Sequence, residues 1–123
     1  MKPYETLTVC GKEYHLKITT AYAIKLEEEL GTDLYTGLDK LAEIKTLAKY
    51  YFYAAVSQND DINKIEDVYQ LIDDYITDGG VIEELQKLVY EILLVSGILT
   101  KEVHDASKKA MEKQREVLQK FLD

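Results

Sequence analysis

The sequence predicts a mainly α fold: an N-terminal β-hairpin packed on a bundle of about five helices, followed by a charged C-terminal helical tail. Three observations predict it. Apolar residues alternate at period two only as far as Ile18. From Thr19 onward they recur at i, i+3, i+4 and i+7, the period of one helix face. After Thr100 the apolar stripe thins on a charged, glycine-free segment. The 123 residues, 46% of them hydrophobic, suffice for one core. The organisation read from this is a hairpin-plus-helices domain over residues 1–100 and a tail over 101–123.

Tyr4–Val9 is rich in β-formers, and Tyr14–Ile18 sets Tyr14, Leu16 and Ile18 on one face. Cys10-Gly11-Lys12-Glu13 lies between them, with Gly11 suited to the positive φ of a tight turn. A lone hairpin is marginal, so its apolar face has to pack on helices. Thr19-Thr20 offers an N-cap for a helix through Ala23, Leu26 and Leu30, and Gly31 stops it. Asp33 can cap a short helix through Leu34, Leu38 and Leu41. Ile44, Leu47, Ala48, Tyr51, Phe52 and Ala55 mark a longer one, ended by Ser57-Gln58-Asn59-Asp60-Asp61. Ile65, Val68, Tyr69, Ile72 and Ile76 mark the next, stopped at Gly79-Gly80. Leu85, Leu88, Val89, Ile92 and Leu93 begin a helix that is apolar almost all round by Leu99. This reads as the central buried helix. In the tail, Val103, Ala106, Ala110, Val117 and Phe121 form the thin stripe.

Charge excludes some functions. The first hundred residues carry 9 basic and 18 acidic side chains and the last 23 carry 6 and 5, so the acidity lies in the first hundred. That sign repels phosphate, and no nucleic-acid partner is expected. No apolar run approaches the ~20 residues of a membrane span, and the N-terminus lacks the apolar core of a signal peptide. One cysteine allows no internal disulfide framework. The expectation is a soluble cytoplasmic protein.

No catalytic, cofactor or metal site is predicted. His15 and His104 lack a companion at i+3 or i+4, the spacing that puts two ligands on one helix face, and read as surface histidines. Cys10 has only Lys12 nearby to lower its pKa. Glu27-Glu28-Glu29 runs around a helix and cannot converge. Asp60-Asp61-Ile62-Asn63 lacks the glycine and closing glutamate of a calcium loop, and Asp73-Asp74 flanks apolar helix positions. Glu43-Ile44-Lys45 stands at a helix start without a partner aspartate. Gly79-Gly80 has no following Lys-Ser/Thr to make a phosphate cradle. The chain reads as a non-enzyme.

The tyrosines are the remaining signal: there are 10, with two phenylalanines and no tryptophan. Tyr50, Tyr51 and Tyr53 crowd one helix, where successive residues point about 100° apart, so at least one is expected to be exposed. Exposed tyrosines are efficient binding anchors. Tyr50, Tyr51 and Tyr53 are therefore candidate partner-binding residues. Val103, Val117 and Phe121 in the tail are the second set, for partner binding or self-association.

The whole pattern resembles the tail assembly chaperones of long-tailed, siphovirus-type phages and prophages of Gram-positive bacteria. The resemblance is carried by Tyr4-Glu-Thr-Leu-Thr-Val-Cys-Gly-Lys-Glu-Tyr-His-Leu-Lys-Ile18, Ala23-Ile-Lys-Leu-Glu-Glu-Glu-Leu-Gly31, Asp67-Val-Tyr-Gln-Leu-Ile-Asp-Asp-Tyr75 and Leu94-Val-Ser-Gly-Ile-Leu99, in that order. It implies a helical fold with a small hairpin and no enzymatic activity. It further implies binding to the phage tape measure protein in the host bacterial cytoplasm, keeping it soluble while the tail tube assembles. In many members a frameshifted, extended form recruits the tail tube protein. The competing reading is an acidic inhibitor or regulator that covers a basic, nucleic-acid-binding protein surface. Against it, Asp and Glu are interleaved with Lys on most helices.

Overall fold

A computed structural model describes residues 2–122. It bears out the mainly α fold with an N-terminal hairpin. Strands β1 (Glu5–Val9) and β2 (Lys12–Leu16) pair antiparallel, Leu7 opposite Tyr14 and Val9 opposite Lys12. The turn is two residues, shorter than the sequence suggested, because Lys12 and Glu13 join β2. Cys10 and Gly11 both take positive φ, 51° and 80°, the pattern whose twist matches a two-residue hairpin.

Helices α1 (Thr20–Leu30), α2 (Ile44–Ala55), α3 (Ile65–Thr77), α4 (Ile82–Val95) and α5 (Lys101–Leu122) follow, with a 3-10 turn at Thr36–Lys40 between α1 and α2. The ends obey local chemistry. The Asp33 carboxylate accepts from the N–H and hydroxyl of Thr36 at 2.9 and 2.7 Å, starting the 3-10 turn. The Asp67 carboxylate accepts the N–H groups of Asn63 and Lys64 at 2.9 and 3.1 Å, pairing donors the start of α3 would otherwise leave open. The C-terminal turn of α4 closes through Ile98 N–H to Leu93 C=O at 2.9 Å.

The core is built around α2, which packs against α1, α3, α4, β2 and the 3-10 turn. Leu47, Ala48, Ala54 and Ala55 are buried on it along with its tyrosines. This corrects the expectation that α4 is central. Leu85, Val89, Ile92 and Leu93 of α4 are buried, but Leu94 and Val95 are only half-buried. Alanines let neighbours approach α2 from several sides. Gly37 is such a close approach: a Cβ there would lie 2.5 Å from the Tyr50 hydroxyl.

The hairpin lays Leu7, Val9, Leu16 and Ile18 on this core. Its outer edge along β2 is closed by a side chain. Asn59 accepts from His15 N–H at 3.0 Å and donates to His15 C=O at 2.7 Å, replacing a neighbouring strand. Ser96 Oγ accepts from Ile18 N–H at 2.9 Å.

Candidate partner-binding surface

The tyrosine-rich helix is not that surface. Tyr50 and Tyr51 are each 1% exposed and Tyr53 8%, which corrects their placement as partner-binding residues. The sequence argument held that three rings so close in sequence cannot share one core, but α2 is enclosed on several sides. The two most buried hydroxyls donate to backbone oxygens, Tyr50 to Leu34 at 2.6 Å and Tyr51 to Leu85 at 2.7 Å. Burial drives both hydroxyl pKa values well above the ordinary value of 10.0. Burial and the Glu29 carboxylate push Tyr53 up to about 12. These tyrosines are neutral core residues whose polar tips are paired.

The tail candidates lie on the surface. Val117 is 59% and Phe121 89% exposed, and Val103 is at the margin of exposure. The face by which α5 docks on α4 is a different one, and it is largely polar. His104, read from sequence as a surface residue, is 6% exposed. Its Nε2 lies 2.8 Å from Glu91 Oε1 and its Nδ1 2.9 Å from Asp105 Oδ1. Lys108 Nζ reaches the same Glu91 oxygen at 2.7 Å, and Arg115 pairs with Glu83. Met111 is the apolar member of this face that packs on the core. The stripe Val103, Ala106, Ala110, Val117 and Phe121 is rotated roughly 130° away on the helix.

Between that stripe and the 3-10 turn runs a half-open groove of about 750 Å³. Leu38, Leu41, Tyr35, Tyr90, Ala110 and Leu118 supply its apolar lining. Sequence reasoning missed these residues because the two walls lie far apart in the chain. One signal was available: His104, Met111 and Leu118 recur at seven-residue intervals, marking a helix face other than the stripe chosen.

Cys10 is exposed, and partial desolvation followed by the Asp78 and Asp74 carboxylates raises its thiol pKa, the opposite of what a nucleophile needs. The His15 ring stacks on Tyr4 at 3.9 Å. Asp61 pairs with Lys12. Among the described residues no three His, Cys, Asp or Glu side chains group as a metal site would require, and no helix is long and apolar enough to cross a membrane. No protein-family model, curated protein or solved structure matches the chain.

Proposed function

We propose that this chain is a tail assembly chaperone of a long-tailed phage or prophage, which binds the tape measure protein and holds it soluble in the bacterial cytoplasm until the tail tube forms. The observation that carries the reading is an open groove of mixed lining, with an apolar floor, bordered by an exposed apolar stripe on an otherwise acidic protein. A long helical client with apolar stripes aggregates when unassembled. An apolar groove covers such a stripe, and the surplus of acidic side chains keeps the complex in solution. The resemblance in residues 4–100 adds the identity of the client, and the chain acts by binding alone.

Co-expression with the tape measure protein of the same genome is the test. Soluble recovery of an otherwise insoluble client, in a complex that persists at high salt, is the expected result. No recovery and no complex with a folded chain overturns it. A complex with a basic DNA-binding protein that dissolves at high salt points instead to the acidic inhibitor.

A further inference from the structure

The groove beside α5 has sided charge. Helical periodicity sets Lys109, Lys113 and Lys120 on the exposed shoulder next to Ala106, Ala110 and Val117, outnumbering Glu102 and Glu116 there. None of the three lysines makes an ion pair among the described residues, whereas Lys108 and Arg115 on the docked face are paired. Asp39 is the acidic residue that lines the opposite wall; Lys40 follows it in sequence, while the Asp33 carboxylate is engaged by Thr36 and Glu43 pairs with Lys45. The polar groups on the floor are already engaged with each other. Gln86 donates to Leu41 C=O at 3.3 Å and accepts from Arg115 at 3.2 Å. Recognition there falls to apolar contact along the floor and charge along the rims, which is how a groove takes an amphipathic helix.

We propose that this groove receives one amphipathic α-helix of the client. Its apolar stripe lies on the exposed Tyr35, Ala106, Ala110 and Leu118, with the buried Leu38, Leu41 and Tyr90 forming the floor beneath; its acidic flank faces the lysines of α5, and its basic flank faces Asp39. The identity of the client rests on the chaperone reading; the groove and its charge pattern do not. Turning the helix end for end exchanges its flanks, so the sided rims also set the direction in which it lies.

The probe is a labelled helical peptide of about 21 residues, which spans α5 at ~1.5 Å per residue, with a Leu/Ala stripe, Glu on one flank and Lys on the other. Fluorescence anisotropy with the full chain is expected to show binding. Ala110→Trp, which fills the groove from an exposed position, weakens it about tenfold or more. Lys113→Glu with Lys120→Glu weakens it at low salt, while Ile24→Asp on α1, outside the groove, leaves it unchanged. A peptide that does not bind, or that binds the Ala110→Trp chain as tightly as the wild type, overturns the proposal. The two readings separate in co-expression. Tape measure protein held equally well by wild type and Ala110→Trp overturns the groove alone. A wild-type chain that binds the peptide but fails to hold the tape measure protein overturns the chaperone reading alone.

Discussion

Helices α2 and α5 are attached to the same molecule by opposite means. On α2, residues facing almost every direction are buried, and the two deepest tyrosine hydroxyls end on the backbone oxygens of Leu34 and Leu85. On α5, a 22-residue helix, His104 alone is buried and ion pairs along Glu91 and Glu83 make up most of the seam. Burial of apolar surface holds a helix in all solvents that keep the protein folded, whereas exposed ion pairs contribute little and weaken with salt. The difference teaches where the molecule divides: α2 defines the fold, and α5 is an appended wall that completes a groove.

The largest effect is expected at Tyr51. Tyr51→Ala removes a fully buried ring and leaves a cavity at the centre, costing about 3–5 kcal/mol. Tyr51→Phe keeps the ring and removes one hydrogen bond to a Leu85 carbonyl that keeps its own partner within α4, costing roughly 0.5–1.5 kcal/mol. Urea unfolding followed by far-UV circular dichroism distinguishes them. Near-equal losses in the two variants would mean that α2 is held by polar pairing, as α5 is, and would break the contrast. Gly37→Ala comes next. Its added methyl meets the Tyr50 hydroxyl at 2.5 Å and Leu30 at 3.0 Å, so the 3-10 turn or the ring has to shift, at about 1–3 kcal/mol. A neutral result in the same denaturation assay would show that this approach to α2 is loose.

Much of the fold was legible because local chemistry decided it. Alternation marks the hairpin, and Gly31 and Gly79 stand where helices end, whereas α4, read as running to Leu99, stops at Val95 ahead of the positive-φ Gly97. The centre of the core was not legible. Tyr50, Tyr51 and Tyr53 point about 100° or more apart and so read as unable to share one core, and the carbonyls that satisfy two of them come from Leu34 and Leu85, on separate segments. The docked face of α5 was hidden for a related reason. A hydrophobic-stripe reading ranks Val103, Ala110 and Val117 above His104, Lys108 and Arg115, yet the polar set finds carboxylates on α4. Pairing between distant polar side chains leaves no periodic trace in sequence. The seven-residue spacing of His104, Met111 and Leu118 marked one wall of the groove, but the groove as a whole could not be read because its walls meet only after α5 has docked.

Ending the chain at Thr100 sharpens the comparison further. The truncated protein should unfold cooperatively, with stability reduced by no more than ~2 kcal/mol, since the seam consists of the buried His104, partly exposed ion pairs and one methionine. Calorimetry and near-UV circular dichroism check this, and a truncated chain without fixed tertiary structure would place α5 inside the fold. The groove loses one wall in this variant, so peptide binding should vanish while the fold remains.

The smallest effect concerns Glu91 and acid. Partial burial raises its pKa, but hydrogen bonds from Lys108 and His104 outweigh that, leaving it below the ordinary 4.5. A carboxylate depressed by folding contributes its stabilisation in full above its unfolded value and loses it as pH falls through the lower folded value. Docking of α5 should therefore loosen below about pH 4.5, by ~1 kcal/mol or less, because Glu91 is only partly buried and Lys108 and His104 remain charged around it when it is protonated. Met111 sits on the docked face, so its ¹³C-methyl resonance reports the seam directly. It should move toward the position of a solvent-exposed methionine as pH drops from 6 to 3, a shift that 1 M salt imitates at neutral pH. In Glu91→Gln the acid dependence should flatten, because the amide cannot titrate. A Met111 signal that ignores both acid and salt would show that apolar packing holds α5 as it holds α2, and the two helices would then differ only in degree.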